Sequence, residues 1–457
     1  MARIHESALP LGGAVLVCMA ALTQAACSSE PAKAPVPEAE VPSDIDPVLG
    51  FARQQVQKTE ENHPDKTLHP TVTIDPGKGG PWKVQDRTNW RSAFFVGTEW
   101  LLHEDSGSSE PPANAIARTE DFNEEMTRDQ DHDIGFKALL AFGNGYRLTE
   151  SNDYRARILE GADTLAKRYD MESATSNGAP TTVGAIRSWD FNLGDSTTTW
   201  NYPVIADHMM TIEALFLAAR LTSDASDRSR WMSIAVNHAQ KTADWHIRPD
   251  GSTYHVVDFN NDGSLRKFTT YQGKDVGSTW SRGQAWVIHG MTTAYLYTKD
   301  DAAQGGHAAA FLEAARKTAG YFVDNLPRAA ARSAADRVPY YDFDAASEGA
   351  PRDSSAAAIA ASALVQLSLI EEISAADRTS YKAQAQAILR QLSGSYLATD
   401  SDDESILAMG TTAYSETPPA LHAGNVDVGV GLIYGDHYFV QALLRHKAAY
   451  GGALGAD

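Results

Sequence analysis

The chain has 457 residues, with 39 Lys plus Arg against 59 Asp plus Glu and a formal net charge of −20. With 43% apolar residues, 21% charged residues and 2 Cys, it is globular, neither disordered nor built on disulfides. The acidity excludes nucleic acid as a general partner, because phosphate binding needs clustered Lys and Arg, and the length allows one large domain or two to three ordinary ones.

Residues 10–26 form an apolar run that ends in small residues, with Arg3 before it. This reads as a secretory signal, too short for a membrane span. Cys27 follows two Ala, as at a bacterial lipoprotein cleavage site, although Gln24 stands where such sites carry an aliphatic residue. Lipidation at Cys27 and a periplasmic or outer-membrane location are therefore expected, with ordinary cleavage near the same place as the alternative. Residues 27–47 are rich in Pro, Ala and Glu and read as a tether. Cys18 leaves with the signal, so no internal cysteine pair remains.

From residue 48 to the end, apolar residues recur at helical spacing. Segments at 48–61, 92–104, 134–149, 154–170, 204–221, 229–245, 282–298, 304–325, 353–373, 378–396 and 427–449 predict about eleven helices. They are joined in pairs by turn clusters such as Thr222-Ser223-Asp224. No fixed sequence period is visible, which argues for a closed toroid of helix pairs over a solenoid. Residues 252–260 and 265–271 alternate like strands around Asn261-Asp262-Gly263 and predict a β-hairpin.

Asp258, Asn260, Asp262 and Gly263 begin like a calcium loop, but Thr269 stands where the closing Glu belongs, so a hairpin turn is the better reading. No His, Cys or carboxylate spacing suggests zinc, and neither a metal nor a cofactor is expected. A glycine-rich phosphate loop and a G-x-S-x-G elbow are both absent from the sequence. Asp133 and Asp207 each stand at a predicted helix start, where capping is the ordinary explanation. That explanation weakens for Asp207, which Val204, Ile205, Met209 and Met210 surround with apolar bulk. The stretch Ser278-Thr-Trp-Ser-Arg-Gly-Gln-Ala-Trp286 carries two Trp and an Arg, residue types that stack on sugar rings and fork onto carboxylates.

Taken in order, these motifs resemble the unsaturated glucuronyl hydrolases, glycoside hydrolase family 88. The series runs through Asn89-Trp90, Phe94-Phe95-Val96-Gly97, His132-Asp133-Ile134-Gly135-Phe136, Ile186-Arg187-Ser188-Trp189 and Asp207-His208-Met209-Met210. It continues through Tyr254-His255-Val256-Val257-Asp258, Gln272-Gly273, Thr279 to Trp286, Asp353-Ser354-Ser355-Ala356 and Tyr434-Gly435-Asp436. The resemblance implies an all-α (α/α)6 toroid with a small β-hairpin near the active site. It implies substrates that are oligosaccharides with a 4,5-unsaturated uronic acid at the non-reducing end.

The resemblance further implies Asp207 as general acid and base, with Asp133 raising its pKa as a nearby like charge. His255 and Gln272 would position substrate or water, Arg282 would hold the uronate, and Trp90, Trp280 and Trp286 would stack on rings. The chain departs from the family pattern at His208, His289 and Gln441, where Asn, an aromatic residue and Glu are expected, and the first two bear on subsite preference. The rivals are an unsaturated rhamnogalacturonyl hydrolase, a non-catalytic sugar-binding lipoprotein and a polysaccharide lyase.

Overall fold

The computed structural model describes residues 44–75, 79–169, 183–190, 200–327, 336–345, 349–414 and 426–455. The expected signal, Cys27 and nearly all of the tether lie outside the described residues. The folded body starts slightly before the expected residue 48. Helix α1 spans Ile45–Asn62, and the Asp44 side chain caps it by accepting from the Asp46 N–H. Pro47 falls in the first turn, where a missing N–H costs no hydrogen bond. The Ile45 N–H donates to the Gly452 carbonyl at 2.9 Å, which ties the start of the body to its end.

Helices then alternate between two rings. In chain order they are α2 (Ala93–Ser106), α3 (Ala113–Asp121), α4 (Ile134–Lys137), α5 (Asn144–Thr149), α6 (Asn152–Ala166), α7 (His208–Thr211) and α8 (Glu213–Leu221). They continue with α9 (Ala225–Trp245), α10 (Ser281–Thr298), α11 (Gly305–Asp324), α12 (Ser354–Leu367), α13 (Ala375–Ser395) and α14 (Ile433–Tyr450). The inner ring runs α2, α4–α5, α7–α8, α10, α12, α14 and back to α2. Outside it, α3 backs α2, α6 backs α4–α5, α9 backs α8, α11 backs α10, α13 backs α12 and α1 backs α14. This is the expected (α/α)6 toroid.

Burial follows position in the rings. Inner α12 buries 13 of its 14 residues, so it is apolar all round, whereas outer α13 buries 5 of its 21 along one stripe. The Ala-rich face of α12 lets α10 and α14 come close on either side. Between α4 and α5, Ala138–Gly143 forms a π-helical turn, so the single helix expected over 134–149 is interrupted.

Three small sheets decorate the toroid. Strands β1 (His69–Asp75) and β2 (Gly79–Gln85) pair antiparallel. The expected hairpin is β4 (Val256–Phe259) with β5 (Leu265–Thr269), and a third strand, β3 (Tyr202–Ile205), adds to its free edge. Strands β6 (Gly410–Ala413) and β7 (Val426–Val430) form the last pair. Two expected helices therefore start late. Val204 and Ile205 pair with Val257 and Val256, and alternating Val426, Val428 and Val430 face β6. Helix α3 was not among the expected segments.

The Asp258 carboxylate bonds the Tyr202 N–H at 2.8 Å and pairs with Arg266, and Asp262 accepts from the Ser264 N–H at 2.9 Å. These acids hold a hairpin turn.

Helix α7 is gripped by two glycines. A Cβ on Gly135 of α4 would stand 2.6 Å from the Thr211 carbonyl oxygen, and one on Gly290 of α10 would stand 2.4 Å from that of Met209. Gly290→Ala should cost ~1–3 kcal/mol by overpacking, measured by denaturant unfolding. Gly306→Ala, where a Cβ meets nothing within 4 Å, serves as the neutral control.

Candidate active site

Asp133 and Asp207 stand at the N-termini of α4 and α7, and neither side chain caps its helix. Both instead face a cleft of about 270 Å³, which Trp90, Arg91, Gln272 and Thr412 also line. Strand pairing brings the parts together. The Ala206 N–H, between β3 and Asp207, donates to the His255 carbonyl at 3.0 Å, just ahead of β4.

His255 Nδ1 accepts from the Tyr271 N–H at 3.1 Å and lies 3.1 Å from the Thr270 hydroxyl. An accepting Nδ1 places the ring proton on Nε2, which sits 3.8 Å from Asp207 Oδ1. That spacing is wider than a hydrogen bond, and a water or sugar hydroxyl seated against both atoms can bond to each. Asp207 Oδ1 is buried and has no hydrogen-bond partner among the described residues.

Burial pushes the Asp207 carboxyl up to about 6, against the opposing pull of the Arg282 charge. Asp133 is pushed well above the usual carboxylate range, first by burial and then by Asp131 and Asp207. The like-charge effect expected on Asp207 therefore falls on Asp133. The reason is that Asp133 takes its proton first and then carries no charge to act on Asp207. Asp133 Oδ1 also lies 3.5 Å from Nε2 of His132, whose ring burial keeps neutral.

The structure sorts the other expected residues. Trp90 lines the cleft and stacks on Tyr434 with ring centroids 5.2 Å apart. Gln272 lines it too, and its amide donates to the Thr412 carbonyl at 3.4 Å. Trp286 is 0% exposed and packs between Phe136 and Tyr438, so it cannot stack on a sugar. Trp280 is 2% exposed and wedged between His255 and Arg282, so it supports the wall behind the cleft.

Arg282 is 1% exposed; its guanidinium pairs with Asp353 and donates to the Thr411 and Thr412 carbonyls at 2.6 and 2.7 Å. It fastens the β6 rim of the cleft and does not reach into it. His208 is buried behind the cleft, its ring 4.4 Å from His132 and 4.2 Å from His238. His289 and Gln441 lie away from the cleft altogether, so neither bears on its subsites.

Sequence reasoning missed Arg91, Trp189, Tyr271 and Thr412, which all line the cleft. Arg91 and Trp189 sat within or beside quoted motifs and could have been found there. Arg91 bonds Asp427 at 3.1 Å and lies over the Trp90 ring. Tyr271 adjoins the Gln272-Gly273 motif in the bend after β5 and could have been found there too, whereas Thr412 carries no local signal, because strand pairing alone places it. Among the described residues no group of three His, Cys, Asp or Glu is placed to hold a metal ion.

No family profile matches the chain. Relatives do. The unsaturated glucuronyl hydrolase of Formosa agariphila is 35% identical over 365 residues, 79% of this chain and 80% of that protein. The unsaturated chondroitin disaccharide hydrolase of Streptococcus pyogenes is 29% identical over 408 residues, 88% of this chain and 91% of that one. The crystal structure of an unsaturated glucuronyl hydrolase specific for heparin matches with a TM-score of 0.74 and 29% identity, over 90% of this chain and 99% of the other. With its toroid and a paired-carboxylate cleft at the N-terminal ends of the inner helices, the chain belongs to the unsaturated glucuronyl hydrolases, glycoside hydrolase family 88.

Proposed function

We propose that Asp207 is the general acid and base of a hydration reaction that removes a 4,5-unsaturated uronic acid from the non-reducing end of lyase-generated oligosaccharides. The observation that carries this reading is the state of Asp207. Its Oδ1 is buried without a hydrogen bond among the described residues, its pKa is raised to about 6, it is not spent on capping, and it faces a sugar-sized cleft.

The C4=C5 bond of such a sugar is a vinyl ether. Asp207 gives its proton to C4, and the positive charge that develops at C5 is shared with the ring oxygen. Water adds at C5 and returns a proton to the Asp207 carboxylate. The resulting hemiketal opens, its ring C–O bond breaks, and the aglycone leaves as an alcohol. The reaction bypasses direct displacement at the anomeric carbon, so the usual carboxylate-spacing rule for retaining and inverting glycosidases does not apply.

In this reading the protonated Asp133 donates to a sugar hydroxyl, and His255 Nε2–H with Asp207 holds the attacking water. Arg91, the guanidinium in the cleft wall, takes the uronate carboxylate, and Trp90 offers a ring face. Oligosaccharides are the partners this site needs.

Incubation with unsaturated chondroitin, heparin-type, gellan and ulvan oligosaccharides should remove the double-bond absorbance. No loss with any of them overturns the reading, and a gain marks a lyase. Asp207→Asn should lower kcat by about 10²–10⁴-fold with the helical circular dichroism unchanged. Because the acid form is required, kcat should fall as pH rises through about 6. A profile flat across that range removes Asp207 from the acid role.

A stability test follows from the same carboxyl. A folded-state pKa raised from 3.8 to about 6 gives stability that is present below 3.8 and lost as pH rises through 6. Asp207→Asn should therefore match the parent near about pH 4 and exceed it by ~3 kcal/mol near about pH 8 in denaturant unfolding.

A further inference from the structure

The inner helices enclose a second cavity of about 680 Å³, larger than the cleft and within the usual range for small-molecule sites. It sits at the C-terminal ends of the inner helices. Along α10, His289 lies seven residues and Tyr297 fifteen residues beyond Arg282, or about 10 and about 22 Å at 1.5 Å per residue. Phe136 and Met210 line its inner end, each three residues past a cleft carboxylate, and so partition the two spaces.

Its polar groups are not used by the hydration chemistry. The Arg445 guanidinium lines the cavity, and its hydrogen bonds run to neutral partners. These are His289 Nε2 at 2.9 Å and the Ser362 hydroxyl at 2.7 Å, with the Ser362 carbonyl at 3.5 Å, all from Nη1. Gln441 joins the same cluster by accepting from the Ser362 hydroxyl at 2.8 Å. Two positions where the chain departs from its family pattern, His289 and Gln441, thus converge on Arg445. Glu213 lines the same cavity and accepts from the Tyr297 hydroxyl at 3.5 Å, the long limit of a hydrogen bond.

The charges of the lining cancel. Arg147 pairs with Glu104 at 2.8 Å and Lys447 with Asp105 at 2.8 Å, which leaves Arg445 and Glu213 as the inner opposite pair. Charges half-buried in such a lining call for hydrogen-bonding partners. A ligand that suits them accepts from Arg445, donates to Glu213 and carries no net charge. A vicinal diol on a sugar ring has all of these properties.

We infer that this second cavity is a binding site for a neutral saccharide, with adjacent hydroxyls bridging Arg445 and Glu213. It is separate from the catalytic cleft and takes a saturated sugar that the enzyme does not turn over.

The test is calorimetric titration of the full chain with maltose and, separately, with acetate. Maltose should bind saturably to the parent and to Trp90→Ala, whose change is in the cleft. Binding should be about tenfold or more weaker in Glu213→Gln, which loses a hydrogen bond to a charged group, and in Leu217→Trp, which fills the cavity. Leu217→Trp should keep the parent rate of double-bond loss, and Glu213→Gln is a nearly isosteric second variant should Leu217→Trp fail to fold. Absence of saturable maltose binding into the tens of millimolar range overturns the inference. So does tighter binding of acetate than of maltose, or loss of maltose binding in Trp90→Ala with retention in Leu217→Trp and Glu213→Gln.

Discussion

The geometry of the active site depends on how closely α7 is held between α4 and α10. Gly135 and Gly290 let the backbones of Thr211 and Met209 come within distances that no Cβ permits. That contact sets Asp207, which precedes α7, beside Asp133, which precedes α4. It also draws Asp207 under the β3–β4 edge that carries His255. A short helix with four residues has little stability of its own. Its position is therefore a property of its neighbours, and two missing side chains decide it.

The same packing sets the electrostatics. Both carboxyls are withdrawn from water and neither caps its helix, so desolvation outweighs the helix dipole that would otherwise keep them ionised. Asp133 holds its proton more strongly, and Asp207 is left at about 6. Ordering two acids by environment is how one site supplies both a hydrogen-bond donor and a proton-transfer group. The cost is borne by the toroid, whose inner helices α10 and α12 are buried almost all round.

The net charge of −20 is reconciled with an acidic sugar at this local scale. Distant surface charges are screened beyond about 8–10 Å at ordinary salt, and the cleft wall presents Arg91. Arg282 acts one layer behind it. By gripping Asp353 and two β6 carbonyls, it fixes the strand that contributes Thr412 and Ala413 to the cleft.

Much of this was legible in the sequence. Helical periodicity located nine of the twelve ring positions to within a few residues of their start, because amphipathic and all-apolar helices write their period locally. It placed α7 and α14 too early, where β-branched residues pair with other strands, and it omitted α3, which is short and polar. The motif order identified the family and brought Asp133, Asp207, His255, Gln272 and Trp90 to one place.

Tertiary structure alone decided which side chains enter the cleft. Trp286 and Trp280 read as sugar platforms, yet the inner ring buries them, while strand β6 delivers Thr412 and the bend after β5 delivers Tyr271. Which carboxyl feels the other's charge, and where His289 and Gln441 point, likewise depend on three-dimensional proximity. Residue type and spacing determine the chemistry a chain can perform; burial and close approach determine which residues perform it.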